Sequence, residues 1–490
     1  MSVLLCTVIC VVFIWWFMKP RDKGPPIYPW AFPLVGHLPH IIGDRTYLAR
    51  FLKSLNSYCV EKGDVIRMWF GTHTFYIVTD PDDSILIANS CLNKSYFYDF
   101  AKNFLGTGLI TADASLWKAH RKLLNPAFNQ QVLNTFLDEI NGQARSLVAL
   151  LDTEVDKKPI DVRSHFVNFT LKTVSRTSLG LDVKDQNVID TEYAEAFEEY
   201  VATLVERVQS GWMHLSYAFN FSALKRKQDA LIKKMKSIID PIIVKRKSDL
   251  KMINRSNADN NNTIPDRFKP VLDQMLNLAE EQNAFTNEDI RAHLDTFVAA
   301  SYDTSSSAMT FMLVVIGSNE DIQEKIYKEL EREHVNKDED ITKDVLPKLV
   351  YLDAVVKETL RLYSPVPVIL RKLDKNIRIK NYTLEAGNTC VIGLQGINNH
   401  TMWGPDVDQF KPERWLDPAT LPKNPNAFMA FGAGRRNCIG KLYSMMVIKT
   451  TLAHILRRYR VTGDISKLQA EFDVVLKPVT GHRIGLTLRN

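Results

Sequence analysis

The sequence predicts a mainly α-helical protein with small β-sheets. Beyond Thr79, most of the chain repeats apolar residues at helical spacing, as in the run from Leu442 to Leu456. Strand-forming residues concentrate instead in one short segment, Val65 to Thr79. Charged residues make up 24% of the chain and hydrophobic residues 45%, which is typical of a folded protein with a large core.

Length, charge and cysteine content limit the possible classes of protein. A chain of 490 residues accommodates two or three average domains or one large domain. The formal net charge of +6 is mild for this size, and no Lys/Arg run alternates with aromatic residues, so we expect no nucleic-acid partner. The six cysteines are scattered without a C-x-x-C pair, which indicates neither a disulfide framework nor a zinc site.

The N-terminal residues 1–18 are predicted to anchor the protein in a membrane. Val3 to Met18 is apolar throughout, and positive charges follow at once at Lys19, Arg21 and Lys23, which places the bulk of the chain on the cytosolic side. The segment is slightly short for a full span. A cleaved signal peptide is the alternative, but the segment has no basic n-region and no small-residue cleavage site.

Residues 19–45 are basic and proline-rich, which predicts a stiff hinge, although a plain linker fits the same residues. The remaining residues, 46–490, are predicted to form a single domain. Within it, Val65 to Thr79 predicts a β-hairpin around a glycine. Tyr96 to Thr111 is aromatic and Gly-rich, and we interpret it as a flexible wall of an apolar pocket or as an ordinary loop.

Helices are predicted from Thr191 to Met213 and from Ser222 to Asp249, followed by an Asn-rich surface loop from Ile253 to Asn262. A long helix is predicted to begin near Thr286, because an acid three residues later completes a capping box, and to continue past Val315. Apart from the segment from Ala300 to Ser305, the helix is largely apolar from Thr296 to Val315, which a polar surface helix does not explain.

The stretch Phe431 to Gly440 (FGAGRRNCIG) places Cys438 directly before the start of a predicted helix. The unpaired N–H groups and the dipole of a helix N-terminus favour a thiolate over a thiol. Gly432 and Gly434 allow the turn to bend, and Arg436 adds a positive charge. A thiolate is a strong ligand for iron, whereas the alternative is a buried free cysteine in a glycine turn.

This stretch resembles the haem-binding signature of the cytochrome P-450 superfamily. The matching residues, at the same intervals, are Phe431, Gly434, Arg436, Cys438 and Gly440. The resemblance implies a cytochrome P-450 fold, with residues 46–490 as one haem-thiolate catalytic domain. It also implies that Cys438 is the axial ligand of a b-type haem and that Arg436 is a partner of a haem propionate. In that chemistry the thiolate pushes electron density through the iron and favours O–O cleavage.

Trp117 and Arg121 stand four residues apart in WKAHRK and resemble the pair that holds a haem propionate in this family. Arg371 is a second propionate candidate. Basic residues on the thiolate side are expected to form a face for an acidic electron donor, or merely a solvated face, namely Lys118, Arg121, Lys122, Arg435 and Lys441.

The segment from Ala300 to Ser305 resembles the oxygen-activation motif of the family. By this resemblance Thr304 donates protons to bound oxygen and Asp303 relays them. Ser301 stands where the motif has glycine, and its hydroxyl could change the bend of the helix. Ala300 replaces the glutamate that links haem covalently in some relatives, so the haem is expected to be held non-covalently.

Glu358, Arg361 and Arg414 resemble the buried ionic cluster that fixes the haem-binding core, and we assign them to structure rather than to catalysis. Further apolar segments are expected to line the substrate pocket, namely Val366, Val368 and Ile369 on one side and Leu476 to Val479 on the far side.

Together these features predict a microsomal haem-thiolate monooxygenase that resembles insect members of the clan containing fatty-acid ω-hydroxylases. Its expected substrates are apolar: fatty acids, hormones, pheromones, odorants or xenobiotics. Because the chain has no dinucleotide-binding fingerprint, electrons are expected from a separate NADPH-cytochrome reductase, with a cytochrome b-type protein as an additional donor. The expected location is the endoplasmic reticulum membrane, with the catalytic domain in the cytosol.

Two alternative functions remain open at this point. One is a haem-thiolate isomerase or dehydratase that rearranges lipid hydroperoxides without external electrons. Asp303 and Thr304 argue against it, because that chemistry needs no proton relay. The other is a non-catalytic haem or lipid binder in the membrane.

Overall fold

The computed structural model describes Thr7, Cys10 and residues 24–181, 189, 191–259, 268–335 and 339–489. Most of the predicted membrane anchor, residues 1–18, therefore lies outside the described residues. Among the helices in the described part of the chain, none combines the length and the apolar character that crossing a membrane requires. The architecture is mainly helical with small β-sheets, as predicted.

The α-helices, numbered along the described chain, are α1 (Arg45–Glu61), α2 (Pro81–Ser90), α3 (Lys102–Leu105), α4 (Ala114–Leu124), α5 (Gln130–Asn134), α6 (Leu137–Asp152), α7 (Val162–Thr177), α8 (Thr191–Gln209), α9 (Ser216–Asn220), α10 (Ala223–Asp259), α11 (Val271–Gln282), α12 (Asn287–Gly317), α13 (Glu320–Arg332), α14 (Val350–Leu362), α15 (Leu394–Asn398) and α16 (Lys441–Leu456). The strands are β1 (Val65–Phe70), β2 (His73–Val78), β3 (Ile160–Asp161), β4 (Ile369–Lys372), β5 (Ile377–Arg378), β6 (Thr383–Leu384), β7 (Thr389–Ile392), β8 (Tyr459–Thr462), β9 (Gln469–Phe472), β10 (Leu476–Thr480) and β11 (Arg483–Leu488).

The principal sheet has the strand order β1-β2-β7-β4. Its first two strands are the predicted hairpin, and they pair antiparallel from Val65 opposite Val78 to Phe70 opposite His73. The third strand, β7, joins β2 in parallel and β4 in antiparallel register. Smaller sheets pair β10 with β9, β11 with β3 and β8, and β5 with β6. The sheet thus brings a segment near residue 75 beside one near residue 390.

The central element is α12, which begins where the sequence predicts. Thr286 is its N-cap, and the side chains of Thr286 and Asp289 form the reciprocal hydrogen bonds of a capping box. The helix contacts α7, α14 and α16, and its residues belong to the largest apolar cluster of the molecule. Nearly every side chain from Ala292 to Ile316 is buried, so tertiary packing stabilises this helix along most of its length.

Within its described part, residues 24–45, the predicted hinge (residues 19–45) forms hydrogen bonds with the principal sheet. The backbone N–H of Tyr28 donates to the carbonyl of Arg67 at 3.0 Å, and the N–H of Arg67 donates to the carbonyl of Pro26 at 2.8 Å. A short 3₁₀ helix follows at Leu38–Ile41. These residues lie against β1, because the edge of that strand offers unpaired backbone groups.

Two further segments differ from the prediction. The expected loop from Ile253 to Asn262 is helical as far as Asp259, because α10 continues through it and no glycine or proline follows Pro241 in this helix. Residues 260–262 lie outside the described part of the chain. The segment from Tyr96 to Thr111 begins with a 3₁₀ helix at Tyr96–Ala101 and then α3, so it is more ordered than the predicted flexible wall.

A buried ionic cluster joins α14 to the segment that precedes the Cys438 turn. The carboxylate of Glu358 accepts two hydrogen bonds from Arg361, one from Arg414 and one from the indole of Trp415, all at 2.9 Å. The backbone N–H of Lys411 adds another at 3.0 Å. The contacts agree with the predicted structural role of Glu358, Arg361 and Arg414, and they add Trp415, which the sequence had not indicated.

Candidate active site

The turn before α16 positions Cys438. The backbone N–H of Cys438 donates to the carbonyl of Phe431 at 2.8 Å, which closes the turn. Gly434 has a φ of 65°, and a Cβ atom at this position would lie 2.9 Å from Cβ of Ala88. Glycine is therefore required here by both the backbone conformation and the close approach of α2.

Cys438 has exposed surface, yet protein atoms surround it closely enough for burial to raise the pKa of its thiol. Exposed surface at such a depth indicates that the sulfur faces an internal space. The backbone N–H of Gly440 and the charges of Arg121 and Lys441 act in the opposite direction and lower this pKa. The contribution of the helix N-terminus thus has the predicted sign, but desolvation outweighs it. A thiolate here needs a nearby positive charge such as a metal ion.

Arg121 supports the turn directly. Its Nη1 and Nη2 atoms donate to the backbone carbonyl and the side-chain oxygen of Asn437 at 2.8 and 3.3 Å, and its Nε donates to Asn125 at 2.6 Å. Burial lowers the pKa of Arg121. The predicted neighbour on the same helix, Trp117, is buried. The structure therefore places Arg121 against the residue before Cys438, and its role toward a propionate stays a prediction.

Two buried arginines have no acidic partner among the residues that the structure describes. Arg371 has 0% exposure, and its Nε and Nη2 atoms have no hydrogen-bond partner in the described part of the chain. Arg436 donates to the backbone carbonyls of Leu92 and Ala112 at 2.7 and 2.8 Å, while its Nε atom has no partner among the described residues. Its guanidinium carbon lies 4.9 Å from the centroid of the Trp117 ring.

Burial lowers the pKa of Arg371, and burial together with the charge of Arg371 lowers the pKa of Arg436 to about 10. Buried cations are normally paired with an anion. These two guanidinium groups therefore provide a place for a carboxylate ligand.

Lys94 is a third cation of this group, and the sequence analysis missed it. Burial and the charges of Arg371 and Arg436 lower the pKa of Lys94 well below its ordinary range. Lys94 nevertheless keeps part of its surface open to a polar pocket that His73, Lys102 and other residues line. No local pattern marks Lys94, since its position becomes informative only when Arg371 and Arg436 are brought beside it.

The cavity-facing side of α12 is short and clearly defined. Between Ala292 and Ile316, only Ala300, Ser301 and Thr304 are not buried. Their spacing of one and four residues places them on one face of the helix. The hydroxyl of Thr304 donates to the carbonyl of Ala300 at 2.7 Å. The oxygen-activation motif recognised in the sequence thus coincides with the part of α12 that faces open space.

Asp303, the predicted relay, faces different surroundings from Thr304. It is buried, and Nζ of Lys477 lies 3.1 Å from Asp303 Oδ1. No hydrogen bond joins the side chains of Asp303 and Thr304, both of which lie in the described part of the chain. The acid and the hydroxyl are adjacent in sequence without being in contact.

The expected pocket walls are only partly apolar. Val366, Val368 and Ile369 are half-buried, which is compatible with one wall of a cavity. The expected far wall, Leu476 to Val479, differs from the prediction because Lys477 is buried in an ion pair and Val479 is exposed. The apolar residues around Lys477 led to the prediction of an apolar wall.

A family model described as Cytochrome P450 matches residues 25–482. The chain belongs to the cytochrome P450 family. It is therefore a haem-dependent monooxygenase, an oxidoreductase that holds iron protoporphyrin IX non-covalently. As a cytochrome P450, it takes electrons from a redox partner and acts on a hydrophobic substrate.

Individual relatives cover nearly the whole chain. Cytochrome P450 4V2 of Rattus norvegicus is 29% identical over 485 residues, which are 97% of this chain and 91% of the relative. The probable cytochrome P450 4aa1 of Drosophila melanogaster is 31% identical over 481 residues, or 96% of this chain and 90% of that protein. Cytochrome P450 4c21 of Blattella germanica is 27% identical over 437 residues, which cover 88% and 87% of the two chains. The resemblance to insect members is thus confirmed.

The residues present fit a haem of the P450 type. A cysteine faces an internal space, and buried guanidinium atoms without partners match the two carboxylates of protoporphyrin. When bound, the haem supplies the redox chemistry that activates dioxygen, with cysteine ligation favouring O–O cleavage. Ala300 carries no carboxylate, which agrees with non-covalent binding.

Proposed function

We propose that this cytochrome P450 hydroxylates an apolar substrate, with Cys438 as the axial ligand and Thr304 and Asp303 in proton delivery. The observation that carries the proposal is the coincidence of two openings to internal space, one at Cys438 and one at the Ala300, Ser301 and Thr304 face of α12. Both elements belong to the same apolar core, and α12 contacts α16.

The remaining site residues have supporting roles in this proposal. Arg371 and Arg436 hold the haem propionates beside Trp117, and Arg121 fixes the cysteine turn through Asn437. Phe431 closes that turn through its backbone carbonyl, and Gly440 is the N-cap of α16.

The absorption spectrum of the reduced protein under carbon monoxide tests the ligand assignment. We expect a strongly red-shifted Soret band that Cys438→Ser abolishes while haem remains bound. The control is Cys91→Ala, which removes a buried thiol on the sheet side of the molecule and leaves the band in place. An unchanged band in well-folded Cys438→Ser protein would exclude Cys438 as the ligand.

Electrons come, in this proposal, from an NADPH-cytochrome reductase, with a cytochrome b-type protein as a second donor. Lys118, Lys122, Arg435 and Lys441 are exposed, and Arg121 is half-buried behind them. An exposed basic face steers an acidic partner, and such steering weakens with salt. We expect the rate of haem reduction by the reductase to fall as ionic strength rises, and to fall less steeply in Lys118→Gln and Lys122→Gln.

A separate assay tests the isomerase alternative. Turnover of a lipid hydroperoxide without any reductase, together with no hydroxylation when the reductase is present, would favour that alternative.

Membrane attachment is proposed as well, with residues 1–18 as the anchor, 19–45 as the hinge and 46–490 as the catalytic domain in the cytosol. Large exposed apolar side chains support it. Trp30 is 81% exposed and Tyr217 79%, and further exposed residues of this patch are Leu34, Ile42, Trp212, Leu215 and Phe221. The two halves of the patch meet, because Gln209 donates to the carbonyl of Gly43 at 2.8 Å. Contiguous apolar surface of this kind marks a membrane or protein interface.

Flotation with vesicles of endoplasmic reticulum lipid composition tests the attachment. We expect a variant with Trp212→Ser and Phe221→Ser to release more protein from the vesicles than the wild type, in chains that lack residues 1–18. The matched control is Val244→Ser, an equally exposed apolar residue on α10. Equal release by the patch variant and the control would contradict the proposed orientation.

A further inference from the structure

The buried partner of Asp303 is the side chain of Lys477 on β10. Lys477 is 2% exposed, and its Nζ lies 3.1 Å from Asp303 Oδ1 and 3.2 Å from Asp473 Oδ2. One ammonium group therefore bridges two buried carboxylates. The sequence analysis placed this segment in an apolar wall, so nothing in that interpretation accounts for a buried cation at this position.

The charged groups continue from Asp473 to the protein surface. Nη1 of Arg45 lies 3.5 Å from Asp473 Oδ2 and 3.6 Å from Glu471 Oε1. The side chains of Arg45 and Glu471 are partly exposed, whereas that of Asp473 is buried. A row of ionisable groups thus leads from solvent, through the turn between β9 and β10, to the acid on α12.

Other charged and titratable groups face the same acid from neighbouring helices. Arg163 on α7 forms an ion pair with Glu198 on α8 at 2.5 Å, and both interact electrostatically with the group around Lys477. The phenol of Tyr302 is buried beside Asp303 and has no hydrogen-bond partner within the described residues. The nearest cation to Asp303 is nevertheless Lys477, which makes it the group best placed to control the charge of this acid.

We propose that Lys477 is a positioning residue that sets the protonation of Asp303, and that Asp473, paired in turn with Arg45, fixes the position of Lys477. The inference rests on the proposed function, because it takes Asp303 as the acid of that reaction. Lys477 itself contacts neither substrate nor haem in this assignment.

The proton balance at Asp303 is simple. Asp303 gives up a proton toward the Thr304 side of α12 and becomes a carboxylate, which Lys477 stabilises. A proton from solvent then restores the carboxylic acid of Asp303. Lys477 remains an ammonium ion throughout, and no other reactant is required.

The electrostatics of the group agree with these roles. The pKa of Asp303 is raised to about 6, chiefly by burial and also by Asp473, against the opposing charges of Lys477 and Arg163. Burial alone would lower the pKa of Lys477, but the carboxylates of Asp303 and Asp473 outweigh it and raise the pKa above its ordinary value. Asp303 therefore changes charge close to neutrality beside a permanent cation.

Two substitutions with opposite expected signs test the proposal. In Lys477→Met the cation is lost, so the pKa of Asp303 rises and the alkaline limb of the pH–rate profile, where Asp303 has lost the proton it donates, moves to higher pH by roughly one unit or more. In Asp473→Asn a like charge is lost, so the same limb moves to lower pH. Lys477→Arg keeps the charge and restores most of the wild-type profile. Damage to the fold alone would move both variants in the same direction.

The matched control is Lys449→Met on α16. Lys449 is also buried and paired with an aspartate, since its Nζ lies 3.3 Å from Asp353 Oδ1, but it is not part of the group around Asp303. We expect this variant to leave the position of the alkaline limb unchanged. A shift equal to that of Lys477→Met would overturn the specific role of Lys477.

Infrared difference spectroscopy of the haem-loaded protein provides a readout that is independent of turnover. A carboxylic acid C=O band that titrates near neutrality and is absent in Asp303→Asn reports the protonation of Asp303 directly. We expect its titration to move up in Lys477→Met and down in Asp473→Asn. No movement in either variant would overturn the proposal even if the enzyme is active. Movement without any hydroxylation would confirm that Lys477 sets the protonation of Asp303 but would contradict the proposed function.

Discussion

Two groups of buried arginines differ in whether the described chain supplies an anion to balance their charge. Arg361 and Arg414 share the carboxylate of Glu358, and the indole of Trp415 completes its coordination. Arg371 and Arg436 have no carboxylate among the described residues and retain nitrogen atoms without partners. The first group is complete within the chain, so it stabilises the fold. The second needs an anion from outside the chain, which marks it as a binding site.

The largest expected effect comes from breaking the complete group. Glu358→Gln leaves Arg361 and Arg414 buried without their counter-charge and should lower the free energy of unfolding by about 3–5 kcal/mol. Urea denaturation of the full chain measures it. The control is Glu413→Gln, whose exposed pair with Lys325 at 2.6 Å contributes less than about 1 kcal/mol. A similar decrease in the free energy of unfolding in both variants would show that the buried cluster stabilises the fold no more than an exposed ion pair.

The pH dependence of stability extends the comparison to a third buried group, the pair of His293 and His120, which is uncharged near neutral pH. Nε2 of His293 lies 2.9 Å from Nδ1 of His120, and burial lowers the pKa of His293 from 6.5 to about 4. The unfolded chain therefore takes up a proton first, and the free energy of unfolding should fall by about 3 kcal/mol between pH 6.5 and pH 4. His293→Gln should flatten this part of the stability profile, and an unchanged slope would argue against a neutral histidine pair.

A substitution in the second group, Arg371 and Arg436, is expected to change the free energy of unfolding least but to weaken haem binding clearly. Arg371→Met removes a buried charge that has no acidic partner in the described chain, so the unfolding free energy without haem should stay constant or increase. Haem should dissociate on the order of tenfold to a hundredfold faster, because a charge-assisted hydrogen bond contributes roughly 1.5–3 kcal/mol. Transfer of haem to an acceptor protein gives the rate.

Arg378→Met provides the control for this third measurement, since Arg378 is an exposed arginine on the neighbouring strand β5. Haem loss should be unaffected in this variant. Equal haem retention in Arg371→Met and the wild type would remove Arg371 from the proposed propionate site.

Local features of the sequence predicted the elements that depend on local interactions. The capping box at Thr286 and the hairpin from Val65 to Val78 are confirmed, because caps and turns join residues close in sequence. The turn around Cys438 was recognised for a similar reason. The end of α10 was misplaced because polar residues alone do not stop a helix.

Contacts between distant segments could not be predicted in this way. Lys477 lies in an otherwise apolar stretch, and only the packing of β10 against α12 reveals that it meets Asp303. The bonds from Arg121 to Asn437 link positions 316 residues apart. The desolvation of Cys438 could not be predicted for the same reason, since it depends on the whole surrounding fold.

The narrow open face of α12 also has a consequence for protein engineering. Ala300, Ser301 and Thr304 are the only positions between Ala292 and Ile316 at which a new side chain would meet open space rather than a packed core. A library confined to Ala300 and Ser301 therefore samples the shape of the reaction chamber with little loss of folded protein. Randomising the flanking turns would mostly yield chains that fail to fold.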